Sequence, residues 1–134
     1  MQDRPAASEL LAAVRQFLRD ELAPSLGDHR QKFRTLIAAN VLSVVERELT
    51  GEEDRLRAEW ARLVALDGAA GEGAAPLETL DDVRARIDAR KRALCARIRA
   101  GDADAGPWRR DALAYARWSV EAKLRVSNPR YLQG

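Results

Sequence analysis

Breakers at residues 24–27, 50–51, 68–76, 101–107 and 128–129 divide this chain into five pieces, and each piece repeats its apolar residues at the period of an α-helix. No stretch alternates apolar and polar residues long enough to make a strand, and no internal repeat is present. The pattern therefore predicts an all-α fold. The five helices are expected at about residues 5–22, 28–49, 50–68, 79–101 and 107–126. Connections this short favour an antiparallel bundle of about five helices.

The apolar stripes assign a core to each helix. Leu10, Leu11, Val14, Phe17, Leu18 and Leu22 mark the first. Phe33, Leu36, Ile37, Val41, Val44 and Val45 mark the second, whose stripe is the broadest and which is expected to be the central, best buried element. The third presents Leu56, Trp60, Leu63 and Val64, and the fourth Leu80, Val83, Ile87, Leu94 and Ile98. On the fifth, Leu113, Ala116, Val120 and Leu124 are expected to face inward.

Cap residues sharpen the boundaries. Thr50 with Glu53, and Thr79 with Asp82, have capping-box spacing, in which side chain and backbone at a helix start satisfy each other. Gly68 suits a left-handed C-cap. The segment GAAGEGAAP, residues 68–76, reads as a flexible surface loop inside one domain, because a chain of 134 residues suits a single core spanning 1–134.

Several function classes are excluded by composition. One cysteine, Cys95, allows no internal disulfide, and with the single histidine, His29, it cannot build a Cys- or His-based metal site. No metal and no cofactor are therefore expected. Twenty of the 23 basic residues are Arg, yet the net charge is only +2, so charge alone indicates neither nucleic acid nor a membrane as partner. Without a signal-like N-terminus or a spanning apolar run, the chain is expected to be cytoplasmic.

Polar residues that interrupt the stripes are the candidate functional positions. In AANVLSVVEREL, residues 38–49, Asn40 falls between Leu36, Ile37 and Val44, with Arg47 along the same edge, Glu48 nearer the centre and Glu46 toward solvent. A buried amide without a partner costs about 1–3 kcal/mol. Asn40 is thus expected either to make a hydrogen bond that fixes helix register or to face a ligand. Lys123 projects with Ala116 and Val120, from where it can snorkel, pair with Glu48 or meet an anion.

The fourth helix is basic, with Arg84, Arg86, Arg90, Lys91, Arg92, Arg97 and Arg99 against Asp88 alone. Arg86, Arg90 and Arg97 share one flank and form a candidate anion-binding row, unless they pair with acids on neighbouring helices. The helix has no aromatic residue for nucleic-acid stacking. Trp118, projected opposite the apolar stripe of the fifth helix, either packs beneath another element or marks a partner surface.

The segments RPAASELLAAVRQFLRDELAPSL, FRTLIAANVLSVVEREL, LCARIRAGD and KLRVSNPRYL resemble, in this order, a small bacterial family of uncharacterised all-helical proteins, sometimes labelled acyl-CoA dehydrogenase-related. The positions that carry the resemblance are Asn40 with residues 46–49, Cys95, Arg99 and Gly101, and Lys123 with residues 128–131, which include Asn128 and Tyr131. The resemblance implies encoding beside, or fusion to, aminoglycoside-phosphotransferase-like kinases and acyl-CoA dehydrogenases. It implies no catalytic residue. In the SNPRY tail, Asn128 before Pro129 is expected to stop the fifth helix, so that Tyr131 can fold back and offer Asn40 or Arg47 a partner.

Together with what the resemblance implies, a non-catalytic accessory module that binds such a kinase or dehydrogenase is expected. A binder of CoA-type, nucleotide or carboxylate anions is the alternative, and a second copy of the chain is a further candidate partner.

Overall fold

The computed structural model describes residues 4–68 and 79–134. The chain is all-α, with no strand among the described residues. The first helix, α1, runs Ala7–Gln16 and continues through a π-helical segment, Phe17–Leu22, into a closing turn, Ala23–Ser25. It is followed by α2 (His29–Leu49), α3 (Glu52–Asp67), α4 (Leu80–Arg99) and α5 (Pro107–Ser127), and a 3-10 turn (Pro129–Gln133) ends the chain. The expected loop at 68–76 lies, beyond Gly68, outside the described residues.

Local chemistry explains these boundaries. The Asp28 carboxylate accepts hydrogen bonds from the amides of Arg30 (2.7 Å) and Gln31 (3.3 Å), capping α2. At the start of α4, the Thr79 hydroxyl accepts from the Asp82 amide at 3.1 Å, and the Asp82 carboxylate accepts from the Thr79 amide at 3.2 Å. The expected capping box is thus formed. Gly68 takes a positive φ of 67°, as the predicted C-cap requires. At the α2–α3 junction the Thr50 hydroxyl donates back to the Glu46 carbonyl at 2.9 Å, and Gly51 makes the turn at φ 71°.

Contacts divide the chain into two compact units: residues 1–51 with 126–128, and residues 52–125 with 129–134. In the first, α1 packs along α2. The covered residues of α2 are Thr35, Ala39, Leu42, Ser43, Val44, Glu46 and Arg47, with Ala39 fully buried. Small side chains at this seam let the two helix backbones approach closely. The consequence overturns the expectation for α2. Phe33, Ile37 and Val41 are 64%, 47% and 53% exposed, and Ala39 is the only buried residue of the helix. On α1, Leu11, Leu18 and Leu22 are half-buried, whereas Leu10, Val14 and Phe17 are exposed.

The second unit holds the larger core. Trp60 and Leu63 from α3, Val83, Ile87 and Leu94 from α4, and Tyr115 from α5 form one buried cluster, with Leu56, Val64, Leu66, Trp108 and Trp118 packed against it. Full burial of a Leu, Ile or Val side chain stabilises by about 1.5–3 kcal/mol. The stripes predicted for α3 and α4 meet this core, except that Ile98 is exposed. For α5 only Leu124 of the expected face is half-buried. Ala112, Tyr115 and Val126 are buried while Leu113 and Val120 are exposed, because the helix turns its large aromatics, Trp108, Tyr115 and Trp118, toward apolar cover.

Candidate functional site

In the first unit, Asn40 is exposed, so the amide lies in solvent and the expected burial does not occur. Its neighbour Ala39 takes the seam with α1, and one residue further along turns the chain by about 100°, away from that seam. Glu48, Lys123, Asn128 and Tyr131 are also exposed, Tyr131 at 71%. No polar or charged residue is buried among the described residues. Of these candidates for a buried network, Arg47 alone is half-buried. Its Nε donates to the Val126 carbonyl at 2.6 Å, satisfying an acceptor in the last turn of α5.

Beside it, Arg15 of α1 pairs with Glu46 of α2 at 3.2 Å, with both side chains largely covered. Glu46, expected in solvent, instead ties the two helices together. Arg15, Ser43, Glu46, Arg47 and Thr50 line an open depression at this point.

In the second unit, the arginine row of α4 meets carboxylates and tryptophans. Arg90 bonds Asp67 at 2.7 Å and lies over the Trp60 ring at 4.8 Å. Arg97 reaches Asp67 at 3.7 Å and Asp102 at 3.0 Å, and its guanidinium covers the Trp108 ring at 3.9 Å. Asp67 thus sits between two of the three predicted anion ligands, and Arg86 is exposed. These contacts fix side chains that would otherwise be mobile, and they desolvate the cation–π pairs in part. Neither tryptophan partner could have been found from the charge pattern of α4 alone, because Trp60 and Trp108 come from other helices.

Trp118 is half-buried beside the core, with Arg62 over its ring at 4.5 Å and Tyr115 at 6.1 Å. Its side of α5 is the inward one. The Tyr115 hydroxyl donates to Glu59 at 2.8 Å, and Lys91 meets the same carboxylate oxygen at 2.6 Å. Burial, reinforced by the Glu59 carboxylate, pushes the Tyr115 phenol above its ordinary pKa. Arg84 is likewise raised, by hydrogen bonds to Glu52 and Asp81. Cys95 is exposed in a shallow groove with Asp88, Lys91, Arg92 and Arg99. No His, Cys, Asp and Glu side chains cluster as a metal site among the described residues. No helix among them is long and apolar enough to cross a membrane.

The fold places the chain in the all-helical class, and a fold by itself specifies no reaction. Residues 24–131 match the domain of unknown function DUF6285, and the chain belongs to that family. No curated protein and no solved structure matches it.

Proposed function

We propose that this chain is a non-catalytic accessory module of 134 residues that works by binding another protein. The observation that carries the reading is the apolar surface of α1 and α2. Leu10, Val14 and Phe17 on one helix and Phe33, Leu36, Ile37, Val41, Val45 and Leu49 on the other are all more than one-third exposed. Single exposed apolar residues are ordinary, but nine on two packed helices exceed what a monomer commonly shows and mark an interaction surface.

The resemblance to the acyl-CoA dehydrogenase-related family directs the choice of partner to a phosphotransferase-like kinase or an acyl-CoA dehydrogenase of the same cell. Neither nucleic acid nor a membrane is proposed. Size-exclusion chromatography of the full chain mixed with each purified enzyme tests the reading. A complex at micromolar concentration that is lost on Ile37→Glu is expected. Separate elution of all components at 50 µM, on the order of the weakest useful affinity, overturns it.

The second reading, an anion binder, rests on the row of cations on α4. An incoming phosphate at Arg90 and Arg97 has to displace Asp67. Saturable thermal stabilisation by acyl-CoAs or nucleotides is its test, and a flat response removes it.

A further inference from the structure

We propose that one bare side of α2, over its first three turns, is a docking site for a short, acidic amphipathic helix of a partner protein. The proposal rests on the reading of the hairpin as an interaction surface and names the chemistry of what it binds.

The apolar side chains of the hairpin fall on two sides of the α1–α2 seam. With buried Ala39 marking the seam, a turn of about 100° per residue puts Leu36, Phe33 and Ile37 about 60°, 120° and 160° round in one sense. Exposed Asn40 falls among them, and Val45 and Leu49 project to the other side. Along the first side the two ends of α2 differ. Toward its C-terminus Val44 and Arg47 are half-buried, and Arg47 holds the Val126 carbonyl at 2.6 Å. Toward its N-terminus Phe33, Leu36 and Ile37 stay 64%, 38% and 47% exposed.

Charge selects the occupant of this strip. α2 has no Asp or Glu from His29 to Val45, whereas Arg30, Lys32 and Arg34 surround Phe33 in sequence and are all exposed. By projection Lys32 lies beyond the Leu36 edge of the strip, and Arg30 and Arg34 lie beyond the Ile37 edge. Among the described residues none of the three side chains pairs with a carboxylate. Asp28, the nearest acid in sequence, is occupied as the helix cap by the amides of Arg30 and Gln31. Cations in the first turn sit at the positive end of the helix dipole, which disfavours them there. Cations kept at such a place, around bare apolar side chains, complement a partner that brings carboxylates, and the helix start attracts those carboxylates as well.

Size narrows the partner to a segment. Residues 30–40 span about 15 Å along the axis, which fits about three turns of a docked helix and falls short of a standard domain interface. The complement is a helix with one apolar stripe and acids along both edges. A helix that lies in a membrane surface immerses its apolar stripe over its length, whereas this strip ends at the Arg47–Val126 contact.

The test is fluorescence anisotropy of the full chain with two labelled model peptides of about 18 residues, long enough to form a helix. Both carry the same leucine stripe, flanked in one by glutamates and in the other by lysines. The glutamate peptide is expected to bind at least about tenfold tighter than the lysine peptide, and to weaken as salt rises from about 20 to about 300 mM. The triple variant Arg30→Glu, Lys32→Glu, Arg34→Glu is expected to lose the glutamate peptide and to gain the lysine one. It is expected to melt no lower than the parent, because carboxylates suit a helix start. Phe33→Ser, with the cations intact, is expected to weaken the glutamate peptide about tenfold.

Equal binding of the two peptides, glutamate-peptide binding that survives the triple reversal, or no saturable binding up to about 1 mM overturns the proposal. A lower melting temperature for the triple variant overturns it too, since the cations then serve the fold. So does tighter binding, through the same cations, of phosphatidylserine–phosphatidylcholine vesicles or duplex DNA than of the glutamate peptide. A kinase or dehydrogenase complex that persists in the triple variant defeats this inference and leaves the accessory reading intact. Glutamate-peptide binding at this strip, with no complex formed by either enzyme, does the reverse.

Discussion

The two units use their apolar residues in opposite ways. In the second, Trp60, Leu63, Val83 and Ile87 are buried and the arginines of α4 lie across tryptophan rings. In the first, the buried seam is built from Ala39 and half-covered Ser43 and Leu42, while Phe33, Ile37 and Val41 remain bare. One unit spends its hydrophobic surface on folding. The other leaves large apolar side chains exposed, and the difference lies in which face of each helix carries the small residues.

The sharpest way to break this contrast is a pair of truncations. Leu63→Ala is expected to destabilise the chain by about 2–5 kcal/mol, since Leu63 is only 2% exposed and its loss leaves a cavity. Phe33→Ala, at 64% exposure, is expected to change stability by less than about 0.5 kcal/mol in dilute, unassociated protein. Chemical denaturation measures both. Equal losses at the two positions would mean that the hairpin face is covered in the folded chain and that the contrast fails.

A smaller effect is expected from Asp67→Asn, which removes the carboxylate between Arg90 and Arg97. Arg90 is the better covered of the two, with a side chain 11% exposed, so most of the loss, about 1–3 kcal/mol for a hydrogen bond to a charged group, belongs to that contact. The same variant removes the carboxylate with which an incoming anion competes at Arg90 and Arg97. If the anion-binding reading holds, Asp67→Asn increases thermal stabilisation by phosphate-bearing ligands, and an unchanged response counts against it.

Helix number and most helix boundaries were legible in the sequence because caps and breakers act locally. Thr79, Asp82 and Gly68 do in the fold what their positions predict. Which face of each helix is buried was less legible. On α3 and α4 the apolar stripe meets a core, since Trp60, Leu63, Val83 and Ile87 find each other. On α2 the broadest stripe stays exposed, because Ala39 permits a closer helix contact than Phe33 or Ile37 would. On α5 the aromatic side outcompetes the aliphatic one for cover. Burial depends on what the opposing helix offers, and a single-helix projection contains no information about that. Of the candidate polar positions, Arg47 meets the Val126 carbonyl in the last turn of α5, an acceptor that no side-chain pattern in the sequence announces.

Tyr115 offers a pH-dependent probe of the second unit. Its raised pKa means that the folded chain holds the phenolic proton to higher pH than the unfolded chain does. The stabilisation is therefore fully present below the ordinary tyrosine pKa of about 10 and is lost as pH rises through the folded value. Tyr115→Phe removes this contribution. The difference in stability between the two proteins is expected to shrink steadily above about pH 10. A constant difference would place the Glu59 contact outside the folded ensemble in solution.

The smallest expected effect concerns Asn40, and it discriminates most finely between the two uses of apolar surface. An amide inside a core would cost about 1–3 kcal/mol if its partner were lost, so Asn40→Leu would be strongly destabilising there. Asn40 is instead exposed, one residue beyond the buried Ala39 that sets the seam with α1. Leu has the better helix propensity, by a few tenths of a kcal/mol, and the substitution strains no backbone in mid-helix. Unfolding of dilute Asn40→Leu protein is therefore expected within about 0.5 kcal/mol of the parent. Its solubility is expected to fall, because Leu36 and Ile37 gain an apolar neighbour on a surface already rich in them. A loss above about 1 kcal/mol would reveal a hydrogen-bond partner for the amide, and the seam between α1 and α2 would then have to be drawn one residue over.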